Sequence, residues 1–151
     1  MLRNAMRTLA TVTITVGFLL LLSSFPAQSI AERGESPKTS QAAKVAERWV
    51  KLVDAKKYDE SWDQAATLFK KAISKDKWRD TVGTVREPLG ALKSRTLKSA
   101  KYATELPDAP DGEYVVVQFG TSFANKKSAI ETITPMRELD GTWRVSGYYI
   151  K

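Results

Sequence analysis

Between Trp78 and Arg95 the chain changes its period. Before this stretch, apolar residues recur at helical spacing; after it, they alternate. Trp78, Val82 and Val85 predict one apolar helix face, with Arg86 about 80° from its centre, at the edge. A long side chain there can lay its stem on apolar surface and carry its charge outward or to a partner. Pro88 disfavours helix at Glu87, and Gly90 supplies a residue suited to a left-handed turn. Arg86 then lies in the last turn, near the negative end of the helix dipole. From Lys93 the chain reads as extended. A sequence that switches period once must set helices against a sheet.

Upstream, a first helix is expected from Gln41 to Ala55, with Val45, Trp49, Leu52 and Val53 as its stripe and Ser40 as a cap. A second is expected from Asp59 to Ser74, with Trp62, Ala65, Ala66, Phe69 and Ile73 inward. The third starts near Ser74 and ends at Glu87. Each helix places one tryptophan on its stripe. A buried aromatic removes about 150–250 Å² from water, worth at most about 4–6 kcal/mol. A surface ion pair contributes about 0–1 kcal/mol, so the aromatics decide how the helices sit.

Downstream, four strands are expected. Arg95–Thr104 is polar and exposed. Glu113–Ala124 alternates, with Val115, Val117, Phe119 and Phe123 on one face and Tyr114 and Val116 making the other partly apolar. Ala129–Arg137 carries Pro135, a mark of an edge or a bulge. Thr142–Ile150 follows the Asp140–Gly141 hairpin signal, with Trp143, Val145 and Tyr149 expected inward. The fold class is α+β: three helices on one face of a curved four-stranded antiparallel sheet, in meander order.

The first 31 residues read as a targeting segment. Arg3 and Arg7 form a basic start, Leu9–Leu22 an uncharged run, and Ser29-Ile30-Ala31 a small-residue cleavage pattern. Cleavage is the expectation; the competing reading is an anchor retained in the membrane. Residues 32–40 read as a flexible leader and residues 41–151 as a single domain. The expected address is periplasmic or secreted. The formal charge of +7 falls to +5 once Arg3 and Arg7 are removed, and its lysines are scattered. Nucleic acid is therefore not an expected partner, and export argues against it as well.

The chain contains neither histidine nor cysteine. Ser–His and Cys–His nucleophiles, disulfides and the usual zinc and copper ligands are therefore excluded, and no metal or cofactor is expected. Carboxylate catalysis needs an acid in a special setting. Glu131 is the best placed, because it alternates with Ala129 and Ile133 on a partly apolar strand face. A buried carboxylate needs a partner, and Arg86 or Arg95 can supply it; the alternative is that both arginines face an open cleft and grip an anionic ligand. Tyr102, Tyr148 and Tyr149 complete the candidates for a carboxylate–tyrosine site.

Four runs carry a family resemblance: Asp54–Trp78, Val85–Arg95, Pro107–Thr132 and Asp140–Ile150. Within them stand Arg86-x-Pro88-Leu89-Gly90, Asp111-Gly112-x-Tyr114 and Gly141-Thr142-Trp143-Arg144-Val145. Together they resemble the bacterial exported domain-of-unknown-function 4019 family over Val45–Ile150. The resemblance implies a cone-shaped layout of the nuclear-transport-factor-2-like or cystatin-like type, with a cleft between helices and sheet, and implies no activity. The expectation is a non-catalytic module that binds a small ligand or an envelope protein. The alternative is a small cone-fold enzyme using carboxylate and tyrosine acid–base chemistry. The two apolar faces of Glu113–Ala124 add the expectation of a homodimer through the outer face of the sheet.

Overall fold

The structure, a computed structural model, describes residues 36–151. The expected targeting segment and the first part of the leader lie outside the described residues. Among the described residues, no helix is long and apolar enough to cross a membrane.

Helix α1 spans Pro37–Asp54 and starts four residues before the expected Gln41. Ser36 is its N-cap, accepting from the Thr39 N–H at 3.3 Å, and Pro37 occupies the first turn, where its missing N–H costs nothing. The Ser-Pro pair that reads as leader is thus a helix start. The end of α1 is closed by Lys56 at φ 58°, with the Lys57 N–H donating to the Leu52 carbonyl.

The expected second helix is two: α2, Tyr58–Asp63, and α3, Thr67–Ala72. No glycine or proline breaks it. Ala66 is extended at ψ 156° and donates its N–H to the Val145 carbonyl at 2.8 Å, a bond to the sheet that a continuous helix would forbid. Glu138 reaches across to cap α3 at the Thr67 N–H, 2.6 Å away. Trp62 Nε1 donates to the Ile73 carbonyl at 2.9 Å and ties the two halves together.

Helix α4, Lys75–Arg86, runs into a 3₁₀ turn at Glu87–Leu89. Trp78, Val82 and Arg86 are buried, whereas Val85 is exposed. The buried face therefore follows i, i+4, i+8, and Arg86 lies on it rather than at its edge. Gly90 ends the turn at φ 73°, ψ −164°.

The sheet is β1, Leu92–Ala103; β2, Tyr114–Phe123; β3, Ala129–Arg137; and β4, Trp143–Ile150, antiparallel in the order β1-β2-β3-β4. Helix side chains including Ala46, Trp49, Val50, Val53 and Phe69 pack with Val115, Val117, Phe119, Ile133 and Val145 to make the core. Trp49 and Trp78 lie 5.8 Å apart, ring to ring, and share Ser61: Trp49 Nε1 donates to its carbonyl and Trp78 Nε1 to its hydroxyl. Neither ring is free to act as a stacking platform.

Pro135 does mark a bulge. The β3–β4 register slips between Thr134 and Pro135, so that Ser146 has no opposite number. The slip reverses the facing of the rest of β4. Tyr148 pairs with buried Ile133 and turns inward, and Tyr149, expected inward, is 61 % exposed. Tyr114 on the opposite face is buried by its own chain: its hydroxyl donates to the Pro110 carbonyl at 2.6 Å and Gly112 lies against its ring.

Candidate functional site

Arg86 arrives at the core from the end of α4 and Arg95 from β1, opposite Thr121 in the register. Glu131 projects from β3 on the same side as Phe119 and is wholly buried. The three meet there, joined by Asp54 from the last turn of α1, Thr121 from β2 and Tyr148 from β4.

Both arginines reach Glu131. Arg86 Nη1 donates to Oε1 at 2.9 Å and Arg95 Nε to Oε2 at 2.7 Å. Tyr148 Oη donates to Oε1 and Thr121 Oγ1 to Oε2, each at 2.7 Å. Each carboxylate oxygen thus accepts two hydrogen bonds, and no lone pair remains for a substrate proton. Arg86 Nη1 also lies 2.9 Å from the Tyr148 hydroxyl, and the guanidinium stacks 4.7 Å from the Phe123 ring centre. Asp54 takes the other side of both forks: Arg86 Nη2 at 2.5 Å and Arg95 Nη1 and Nη2 at 2.6 and 2.9 Å.

Two guanidiniums and two carboxylates make a neutral set, which is the condition for burying charge in a medium of low dielectric constant. Burial works against the Asp54 carboxylate, but hydrogen bonds and charge from Arg95 and then Arg86 outweigh it and hold its pKa below the usual value. Burial likewise disfavours both charged arginines. The Tyr148 and Asp54 contacts for Arg86, and the Asp54 and Glu131 contacts for Arg95, hold them above the ordinary arginine range. Burial, then the Glu131 charge, push the Tyr148 phenol up, so it remains a donor.

Tyr102 is not part of this cluster. Its ring is 40 % exposed, and its hydroxyl donates to Glu113 Oε1 at 2.9 Å. There it joins a second group, in which Lys38 from α1 and Arg137 from β3 also bind Glu113. Hydrogen bonds from Lys38, Arg137 and Tyr102 hold the Glu113 carboxyl at about 2. Of the sequence candidates, then, Arg86, Arg95, Glu131 and Tyr148 converge, and Tyr102 and Tyr149 do not.

Asp54 and Thr121 are the partners the sequence reading missed. Thr121 had a signal, since it continues the inward alternation Val117–Phe119–Phe123 with a polar residue. Asp54 had one too: an acid in the last turn of a helix opposes the dipole and calls for a cation nearby.

Two pockets open on the solvent side of Asp54. One, of about 370 Å³, is lined by Asp54, Lys56, Tyr58, Arg86, Glu87 and the Gly90–Leu92 turn. The other, of about 290 Å³, lies between α1 and β1 and is lined by Val50, Asp54, Leu92, Arg95, Leu97 and Phe119, with Glu47 and Lys51 at its rim. Among the described residues, no group of three or more acids has the arrangement to hold a metal ion.

A family model described as "Protein of unknown function (DUF4019)" matches residues 45–148. The chain belongs to that family. No curated protein matches it.

Proposed function

We propose that this chain is an exported, non-catalytic binding module, whose ligand or partner enters the pockets beside Asp54. One observation carries the reading: the acid best placed for chemistry, Glu131, is wholly buried and accepts from four donors. A general base must reach its substrate and keep a lone pair for the proton. Glu131 and Tyr148 do converge, as the carboxylate–tyrosine enzyme reading requires, but they are spent on each other and on the arginines. The pockets, in contrast, have room and exposed polar groups. The roughly 370 Å³ pocket mixes Lys56 and Arg86 with Asp54 and Glu87, a lining suited to a small polar ligand carrying both donors and acceptors.

The finer parts of the reading rest on the residues. Arg3, Arg7 and the Leu9–Leu22 run support export to the periplasm or beyond. Helices over one face of a bulged sheet, with a cleft at one end, support the cone layout of nuclear-transport-factor-2-like and cystatin-like folds. The exposed Tyr149 ring on the face that the helices leave open supports pairing of two copies there.

The test is native mass spectrometry of the protein isolated from a bacterial envelope, beside an Ala91→Trp variant that fills the larger pocket while keeping every residue of the charge cluster in place. A bound mass on the parent and its loss from the variant are expected. A turnover on a panel of hydrolase and isomerase substrates that vanishes in folded Glu131→Gln would sink the non-catalytic reading.

A further inference from the structure

The two edges of the sheet are treated differently. The β4 edge is engaged at Val145, whose carbonyl accepts from Ala66, and α3 lies alongside. The β1 edge is open. Among the described residues, its backbone pairs only with β2, and apart from the Arg95 side chain, which turns into the charge cluster, its residues are exposed or half-buried. A free strand edge is a template for a further strand.

Two features specify what that strand would be. The first is charge: every ionisable group of known charge at neutral pH in Leu92–Ala103 is basic, namely Lys93, Arg95, Lys98 and Lys101. Arg95 is consumed by Asp54 and Glu131, whereas the three lysines are exposed and form no salt bridge among the described residues. Two copies paired β1 to β1 would bring these lysines together, so the edge resists its own kind and favours an acidic strand. The second is the pocket of about 290 Å³ alongside. Leu92 and Leu97, 36 % and 37 % exposed, stand on the side of β1 that faces α1, above Val50 and Phe119. A strand added to β1 would turn alternate side chains toward this groove, and an apolar one would cover both leucines.

We infer that the β1 edge, with the groove between α1 and β1, is a docking site for an extended acidic segment of a partner protein, added as a fifth strand with apolar side chains toward the groove. The inference rests on the binding-module reading and names its partner class. Backbone hydrogen bonds would supply affinity, and the lysines and the groove would select an alternating acidic–apolar sequence.

The probe is a short fluorescein-labelled peptide alternating valine and glutamate, with a valine–lysine counterpart and a form N-methylated on alternate amides. Fluorescence anisotropy reports binding, amide exchange reports protection along β1, and light scattering reports association of copies. Expected are binding of the acidic peptide, slowed exchange at β1 amides, and a loss of at least about tenfold on N-methylation or in Lys98→Glu/Lys101→Glu. Both lysines are exposed, so that variant should fold. Leu97→Glu should weaken binding through the groove. Equal binding of the two peptides, binding without protection at β1, self-pairing of copies through β1, or no binding would each overturn the strand-addition proposal. If the acidic peptide fails while the mass captured in the larger pocket persists, the binding-module reading survives and only this proposal falls.

Discussion

At the scale of single residues, the energetics centre on Glu131. Arg86→Ala removes one of its two cations and leaves a wholly buried carboxylate with Arg95, Tyr148 and Thr121. Breaking a buried pair from one side costs about 3–5 kcal/mol, and because Arg95 stays the lower figure is expected. Against a total of about 5–15 kcal/mol, thermal melts should show a fall of about 10 °C or more. Arg95→Ala should do the same; two variants as stable as the parent would remove the structural role. Asp54 adds a pH dependence. Its pKa is lowered on folding, so its contribution is present above the unfolded value near 3.8 and is lost as the pH falls through the folded value below it. Asp54→Asn leaves two arginines facing one carboxylate. It should lower the melting temperature at neutral pH and flatten the acid limb of the stability curve below about pH 4. Melts of both proteins from neutral pH to strong acid check this; unchanged acid limbs would argue against it. That Glu131 needs Arg86 or Arg95 was legible in the sequence, because a charge alternating with apolar residues must be paired. Asp54 was harder to read, because a helix-end acid followed by Lys56 and Lys57 reads as solvated, and nothing local shows that Arg86 and Arg95 come to it.

At the scale of elements, the sequence located what local chemistry determines and missed what distant contacts impose. The end of α4 just before Pro88 and the meander of strands were readable from proline, glycine and alternation. The break between α2 and α3 was not, because the Ala66–Val145 bond that causes it spans much of the chain. The Pro135 bulge was anticipated, yet its effect on β4 was not: one extra residue moves Tyr148 in and Tyr149 out. Gly90 offers the test at this scale. Its φ of 73° with ψ of −164° lies in a region nearly reserved for glycine, and an added Cβ would stand 3.1 Å from both Ala124 Cβ and Asn125 Nδ2. Gly90→Ala should cost about 1–3 kcal/mol and shift the denaturation midpoint accordingly. A midpoint equal to the parent's would show that the turn relaxes at no cost.

At the scale of the whole molecule, two expectations concern address and assembly. Intact-mass measurement on the envelope fraction should find the chain cut near Ala31; a full-length chain in the membrane pellet would favour the anchor. Light scattering at high micromolar concentration should give a dimer mass that Tyr149→Lys abolishes, and a monomer mass in the parent would count against pairing through the outer face. The Pro110 loop already covers Tyr114, so any such contact must be made by the remainder of that face.

The buried charge cluster takes one residue from each of six elements: Asp54 from α1, Arg86 from α4, Arg95 from β1, Thr121 from β2, Glu131 from β3 and Tyr148 from β4. It therefore acts as a checksum on assembly. A chain with one strand slipped or one helix undocked does not merely lose a contact; it leaves a buried ion short of a counter-ion or of a hydrogen-bond donor, and that form is disfavoured. Such a set closes only after the surrounding parts are in place. Its variants should then unfold faster while folding at nearly the parent's rate, so that the cluster governs how long the folded molecule lasts more than how quickly it forms.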